Sequence, residues 1–214
     1  MAPKEPGGAK KGRIMADIIY TFNNRPYFNL TNQCPCACTF CLRSQQEGVG
    51  SAASLWHKSE PTWNEIKQAL EGFDFTGIEE AVFCGFGEPF CALDNLMRSA
   101  SWVKKRCPGI SLRVNTTGLG DLIHGCPTAP VLKGLVDTMS ISLNAPNAAR
   151  YEELVCSKFG EEAWPAMLRF AADCKKIYPR VIFTVVDVIT PEEIARCRAI
   201  AEGMGIPLRI RKRT

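Results

Sequence analysis

Residues 29–43 read NLTNQCPCACTFCLR, and within them Cys34, Cys38 and Cys41 stand in the spacing Cys-x3-Cys-x2-Cys. Three thiolates on one short loop can hold three irons of a [4Fe–4S] cluster and leave the fourth iron without a protein ligand, whereas electron-transfer ferredoxins supply four cysteines. An iron left open in this way is a place for chemistry. Two plainer readings are a zinc knuckle and a group of buried free thiols. Structural zinc sites call for four ligands, often in two separated pairs. Here no second Cys-x2-Cys pair or His-x3-5-His follows, and the histidines are His57 and His124. Cys36 lies inside the motif, where it would replace a neighbour only at the cost of a poorer spacing, so it is read as a spectator.

The motif follows a short apolar run, Pro26–Thr31. Five further runs, Glu79–Cys84, Ile110–Asn115, Val136–Asn144, Arg180–Asp187 and Ile206–Arg211, alternate with amphipathic stretches. Strands alternating with helices predict an α/β fold built on a parallel sheet. A seventh strand, Asp17–Phe22, reaches the first through Asn23-Asn24, a pair suited to a tight hairpin. Thr62 with Glu65 forms a capping-box pattern, and Thr190 with Pro191 and Glu193 supplies a cap and a first-turn proline. Leu93, Leu96, Met97, Ala100 and Val103 recur at helical spacing, as do Trp164, Met167, Leu168, Ala171 and Cys174, and both sets are expected in the core.

Parity within the strands adds a prediction about the interior. Ile110, Leu112 and Val114 alternate with Ser111, Arg113 and Asn115; Met139, Ile141 and Leu143 with Ser140, Ser142 and Asn144; Leu208 and Ile210 with Arg209 and Arg211. The apolar face meets the helices, so the polar face turns inward, where an eight-stranded barrel carries branched aliphatic layers. The sheet is expected to enclose a polar, substrate-sized cavity. The alternative is the solvated face of a two-layer sheet, an arrangement that parallel sheets seldom adopt.

The chain has 214 residues, 46% hydrophobic and 22% charged, which fits one globular domain and excludes a disordered or collagen-like polymer. Met1–Arg13 is rich in Lys, Gly and Pro and reads as a flexible extension, leaving residues 14–214 as a single domain. No run reaches the roughly 18 apolar residues of a membrane span, and no apolar signal core opens the chain, so a cytoplasmic protein is expected. The net charge of +4 sits largely at the two ends and is weak evidence for nucleic acid. Eleven cysteines, an odd number, point to metal or redox chemistry rather than a disulfide framework.

Taken together, these motifs resemble the radical S-adenosylmethionine (radical SAM) superfamily, from Met15 onward. The resemblance implies a partial (β/α)6 TIM-like barrel, a [4Fe–4S] cluster on Cys34, Cys38 and Cys41, and S-adenosylmethionine (SAM) as cofactor. Phe40 sits where the family has an aromatic near the adenine. Gly85-Phe86-Gly87-Glu88-Pro89 resembles the glycine–glycine–glutamate motif that holds the methionine amino group, its glycines admitting close backbone approach and Glu88 accepting from the ammonium. Asn115 in VNTTG, with Ser142 and Asn144 in SISLNA, matches strand ends that bind carboxylate and ribose; strand-terminal turn residues are the plain alternative. The adenine-side motif is not distinct, and Thr184, Val186 and Asp187 mark only its region.

The implied activity is reductive cleavage of SAM to a 5′-deoxyadenosyl radical that abstracts hydrogen from the substrate. An electron donor such as flavodoxin or ferredoxin is implied as a partner. NLTN, CTFCLR, FCGFGEP and the basic LRIR end look most like the small TatD-associated radical SAM proteins, which implies an association with a TatD-type hydrolase. A glycyl-radical activase is an alternative among enzymes. A non-catalytic iron–sulfur or zinc module recognising RNA or a partner protein is the alternative outside them. Arg209 and Arg211 are expected to contact an anionic group. Trp56, His57, Lys58 and Glu60 are either a substrate loop or an exposed connection. Cys84 and Cys91 flank the glycine motif as candidate radical or redox participants. Six parallel strands leave a lateral opening, which predicts a macromolecular substrate or partner subunit over it.

Overall fold

Asn23 and Asn24 both adopt left-handed backbone, with φ of 49° and 57°, and so turn β1 (Ile19–Phe22) tightly back onto β2 (Arg25–Phe28) as an antiparallel pair. This hairpin begins the computed structural model, which describes residues 17–212; the expected extension at Met1–Arg13 lies outside the described residues. From β2 the sheet continues in parallel through β3 (Glu80–Phe83), β4 (Ser111–Thr116), β5 (Thr138–Ser142), β6 (Arg180–Val186) and β7 (Leu208–Arg211). Strand order follows chain order from β1 to β7, and the two ends do not pair. The result is an open α/β partial barrel of six parallel strands with one antiparallel edge, as the sequence predicts.

Helices α1 (Trp63–Gly72), α2 (Leu93–Arg106), α3 (Gly120–His124), α4 (Ala148–Val155), α5 (Ala163–Ile177) and α6 (Pro191–Gly203) fill the crossovers. Both predicted capping boxes form, Thr62 with Glu65 and Thr190 with Glu193. Leu112, Val114, Met139, Ile141, Phe183 and Val185 are fully buried in the core with Leu96, Ala100, Val103, Met167 and Phe170. Each large side chain among them contributes about 1.5–3 kcal/mol on burial.

Two expectations change. Met97 is 37% exposed, because its place one residue beyond Leu96 rotates it off the stripe; Ser99 is buried there instead. The strand predicted over Val136–Asn144 shortens to Thr138–Ser142, and Asn144, at φ 55°, leaves the ladder. No helix among the described residues is long and apolar enough to cross a membrane.

Candidate active site

On β4 and β5 the polar strand faces look inward, as parity predicts, onto a cavity of about 1060 Å³; on β7 the alternation fails, since Ile210, expected against the helices, is 41% exposed and borders the cavity beside Arg209 and Arg211. Twelve of the residues nominated from the sequence border the cavity: Cys34, Cys38, Phe40, Cys41, Gly85, Gly87, Glu88, Asn115, Ser142, Asn144, Arg209 and Arg211. Thr184, Val186 and Cys84 are also on its wall, whereas Asp187 and Cys91 are not. Trp56, His57, Lys58 and Glu60 do not line it either, which corrects the substrate-loop reading. That segment braces the site from outside. His57 N–H donates to Asn32 Oδ1 at 3.0 Å, Asn32 Nδ2 to His57 O at 2.6 Å, and Asn32 N–H to Glu60 Oε1 at 3.1 Å. Trp56 packs edge-on against Phe86 and under the Arg43 guanidinium.

The cysteine loop is fastened to the end of α4. A helix terminus leaves its last carbonyls without intrahelical donors, and here the loop supplies them: Ala37 N–H donates to Val155 O at 3.1 Å and Thr39 N–H to Leu154 O at 2.9 Å. Cys34, Cys38 and Cys41 are half-buried at the cavity, while Cys36 is buried and off its wall. The neighbouring thiols of Cys34 and Cys38, with burial, hold the Cys36 thiol well above its ordinary pKa, and the Cys36 thiol in turn draws the Cys34 pKa down against the opposing effect of burial. Burial pushes the Cys41 thiol up. Among the described residues no three His, Cys, Asp or Glu side chains converge as ligands of one metal ion.

Behind the loop stands Asn29, fully buried and unremarked in the sequence reading. Its Nδ2 donates to Leu55 O at 2.8 Å, and its Oδ1 accepts from Phe86 N–H at 3.2 Å. A Cβ on Gly85 would lie 2.1 Å from Asn29 Oδ1, and one on Gly87 would lie 2.2 Å from Thr31 O. The two glycines therefore allow close packing against the lead into the cysteine loop, and both also border the cavity.

Glu88 is 3% exposed. Its Oε1 accepts from Thr116 Oγ1 at 2.7 Å and from Phe90 N–H at 3.2 Å, and its Oε2 accepts from Thr117 N–H at 2.7 Å. Burial raises its pKa, and these donors oppose that rise. Two carboxylate oxygens offer about four acceptor positions, so Oε2 retains capacity for a further donor. Thr116 and Thr117 follow Asn115 in VNTTG; their part in holding Glu88 is set by where β4 ends.

The sequence model of the Radical SAM superfamily matches residues 28–199. The chain belongs to this superfamily. Radical SAM proteins are enzymes that use a [4Fe–4S] cluster and SAM. Comparison with curated protein sequences gives no match. Among solved structures, Streptococcus suis SuiB bound to S-adenosylmethionine is 14% identical with a TM-score of 0.58, covering 88% of this chain and 38% of that one. Native anSMEcpe with bound AdoMet is 16% identical with a TM-score of 0.60, covering 88% and 50%. A radical SAM methyltransferase from Sphaerobacter thermophilus is 18% identical with a TM-score of 0.53, covering 91% and 68%. At these identities the likeness is one of fold. This chain spans about two fifths of the first of these proteins and half of the second.

The radical SAM cofactors can be tested against the residues present. Asn115 Oδ1, Thr117 Oγ1, Asn144 Oδ1 and Tyr151 OH are buried without hydrogen-bond partners, and all four residues line the cavity. Unpartnered buried polar atoms are costly. Their gathering beside three thiols and a buried carboxylate fits a polar, zwitterionic ligand next to a cluster.

Proposed function

We propose that Cys34, Cys38 and Cys41 hold the [4Fe–4S] cluster and that Glu88 receives the amino group of SAM. Asn115, Ser142 and Asn144 receive its carboxylate and ribose, and Phe40 borders the adenine. The observation that carries this reading is the meeting, on one cavity, of three half-buried thiols with a buried carboxylate that has an acceptor position to spare. When bound, the reduced cluster supplies the electron that cleaves SAM to methionine and a 5′-deoxyadenosyl radical, which takes hydrogen from the substrate. Thr116 and Thr117 fix the Glu88 carboxylate in advance of binding, so little reorganisation is needed when an ammonium arrives. The strand faces orient the ligand and separate it from bulk water.

The open sheet bears on the substrate. Residues of both edges, Asn23 and Arg25 by β1–β2 and Arg209 to Lys212 at β7, border the same cavity. A radical intermediate calls for closure against water, and we infer that a macromolecular substrate or a partner subunit covers this side. Flavodoxin or ferredoxin is the proposed electron donor and the cytoplasm the proposed compartment. The segments NLTN, CTFCLR, FCGFGEP and LRIR support placement with the TatD-associated radical SAM proteins, and with it association with a TatD-type hydrolase.

The test is anaerobic reduction of cluster-loaded protein with dithionite and SAM. Formation of 5′-deoxyadenosine is expected. Exclusive formation of S-adenosylhomocysteine would instead indicate ordinary methyl transfer.

A further inference from the structure

Below the residues proposed for SAM, the cavity wall changes character. Arg113 lies two residues before Asn115 on the same face of β4, about 7 Å farther from the cysteine loop. It is 8% exposed, and in register it pairs with Thr138, which pairs in turn with Arg180. Its Nη2 is 3.4 Å from Glu80, but that carboxylate is already engaged more closely by Arg25 Nε at 2.8 Å. The Nε of Arg113 is buried with no partner. Arg211, reaching in from β7, has the same defect: its Nε is buried and unpartnered. Glu80 and Glu88 are the acids on the cavity wall; Glu80 is engaged by Arg25, and Glu88 is the carboxylate proposed for the SAM ammonium, so the arginines and lysine that line the cavity outweigh their counter-charges.

A guanidinium deprived of water needs hydrogen-bond acceptors on its donor fork. Two such forks with idle Nε donors on one cavity, drawn from strands β4 and β7, are complementary to an oxyanion. Burial, with Arg113 and Arg209 acting as like charges, holds the Arg211 pKa below its ordinary value, so an anion there relieves both desolvation and repulsion.

We propose that Arg113 and Arg211 form an oxyanion subsite on the cavity wall, and that the substrate carries a phosphate or carboxylate bound there. The proposal deepens the radical SAM reading, on which it rests for calling the ligand a substrate. The subsite itself is measurable without turnover. Cluster-loaded protein is dialysed to equilibrium with radiolabelled inorganic phosphate or malonate at constant ionic strength, and SAM affinity is measured in parallel.

Saturable binding of at least one probe is expected, with preference for phosphate or malonate identifying the group. Arg113→Met and Arg211→Met should each weaken it by about tenfold or more while SAM affinity shifts less than about twofold. Arg113→Lys, which keeps the charge and loses the fork, should fall between wild type and Arg113→Met; it serves as the Arg113 test should the methionine variant fail to fold. Absence of saturable binding to the wild type, equal binding by the variants, or a parallel fall in SAM affinity would each overturn the proposal. Anion binding that survives in a protein making no 5′-deoxyadenosine would leave the subsite standing and remove the enzymatic reading instead.

Discussion

The loops after β2 and β3 and the strand wall from β4 to β7 border one cavity, yet their polar groups are in opposite states. In the loops Asn29, Asn32 and Glu88 each hold two or more hydrogen bonds, and Arg43 reaches the carbonyls of Asn32 and Phe86 while stacking on Trp56. On the wall, Arg113, Asn115, Asn144 and Arg211 keep buried atoms without partners. A satisfied network is preorganised by folding, so damage to it appears as lost stability or a lost cofactor. Unsatisfied atoms are a cost that a ligand removes, so their loss should leave the fold intact and reduce affinity.

The largest effect tests the loop side. Alanine at Cys34, Cys38 or Cys41 should abolish cluster assembly, whereas Cys36→Ala should retain about four irons per chain. Iron and sulfide analysis with low-temperature electron paramagnetic resonance after anaerobic reconstitution measures both. A cluster that depends on Cys36 and tolerates loss of Cys41 would reassign the ligands.

Next is Glu88→Gln, which keeps the shape and removes the charge. A charge-assisted contact contributes about 1.5–3 kcal/mol, so SAM affinity should fall by roughly ten- to hundredfold with cluster content unchanged. The pH dependence has a definite sign. Burial raises the Glu88 pKa, and the ammonium requires the carboxylate; affinity should be full above that raised pKa and decline as pH falls through it. The glutamine variant should lack this decline, and an identical profile in both proteins would count against Glu88 as the anchor.

Loop and wall can be compared directly through stability. Asn29→Ala strands Phe86 N–H and Leu55 O in a buried setting and should cost about 1–3 kcal/mol in urea unfolding. Asn144 Oδ1 has no partner to lose and its φ of 55° suits glycine, so Asn144→Gly should change stability by less than about 1 kcal/mol and show its effect in ligand affinity. Equal destabilisation by the two would erase the distinction.

This contrast also marks what could be read from the sequence. The strands themselves, the hairpin at Asn23-Asn24, the capping boxes, the cysteine spacing and the inward parity of Asn115, Ser142 and Asn144 were legible, because periodicity, capping and motif spacing are local signals; the barrel order and the place of Glu88 were implied by the family resemblance. Asn29 was not: its partners Leu55 and Phe86 lie 26 and 57 residues away, and a buried asparagine in a strand-like run looks like any polar residue. Arg113 was legible as inward-facing by parity, but its unpartnered Nε and its competition with Arg25 for Glu80 arise only when three strands are assembled. Met97 failed for the opposite reason, since helical spacing leaves the flank of a stripe ambiguous by one residue.

The smallest effect concerns Tyr151, on α4, whose ring is fully buried and whose hydroxyl has no partner. Burial raises its pKa first, and the thiols of Cys36, Cys38 and Cys34, with Glu88, add to the rise, which places the hydroxyl among the groups assigned to the cluster and SAM. Hydrogen bonds to cluster sulfur are one of the controls on reduction potential. A hydroxyl that donates there stabilises the reduced, more negative cluster, and a neutral donor of this kind contributes about 0.5–1.5 kcal/mol. At about 59 mV per 1.4 kcal/mol for one electron, Tyr151→Phe should move the potential negative by about 20–60 mV. The same substitution should leave the cluster-free fold as stable as before or slightly more so, since it removes an unsatisfied buried hydroxyl. Potentiometric titration followed by paramagnetic resonance, paired with urea unfolding of the apoprotein, separates the two effects. An unchanged potential with a destabilised fold would make Tyr151 a structural residue of the loop side rather than a donor facing the ligand.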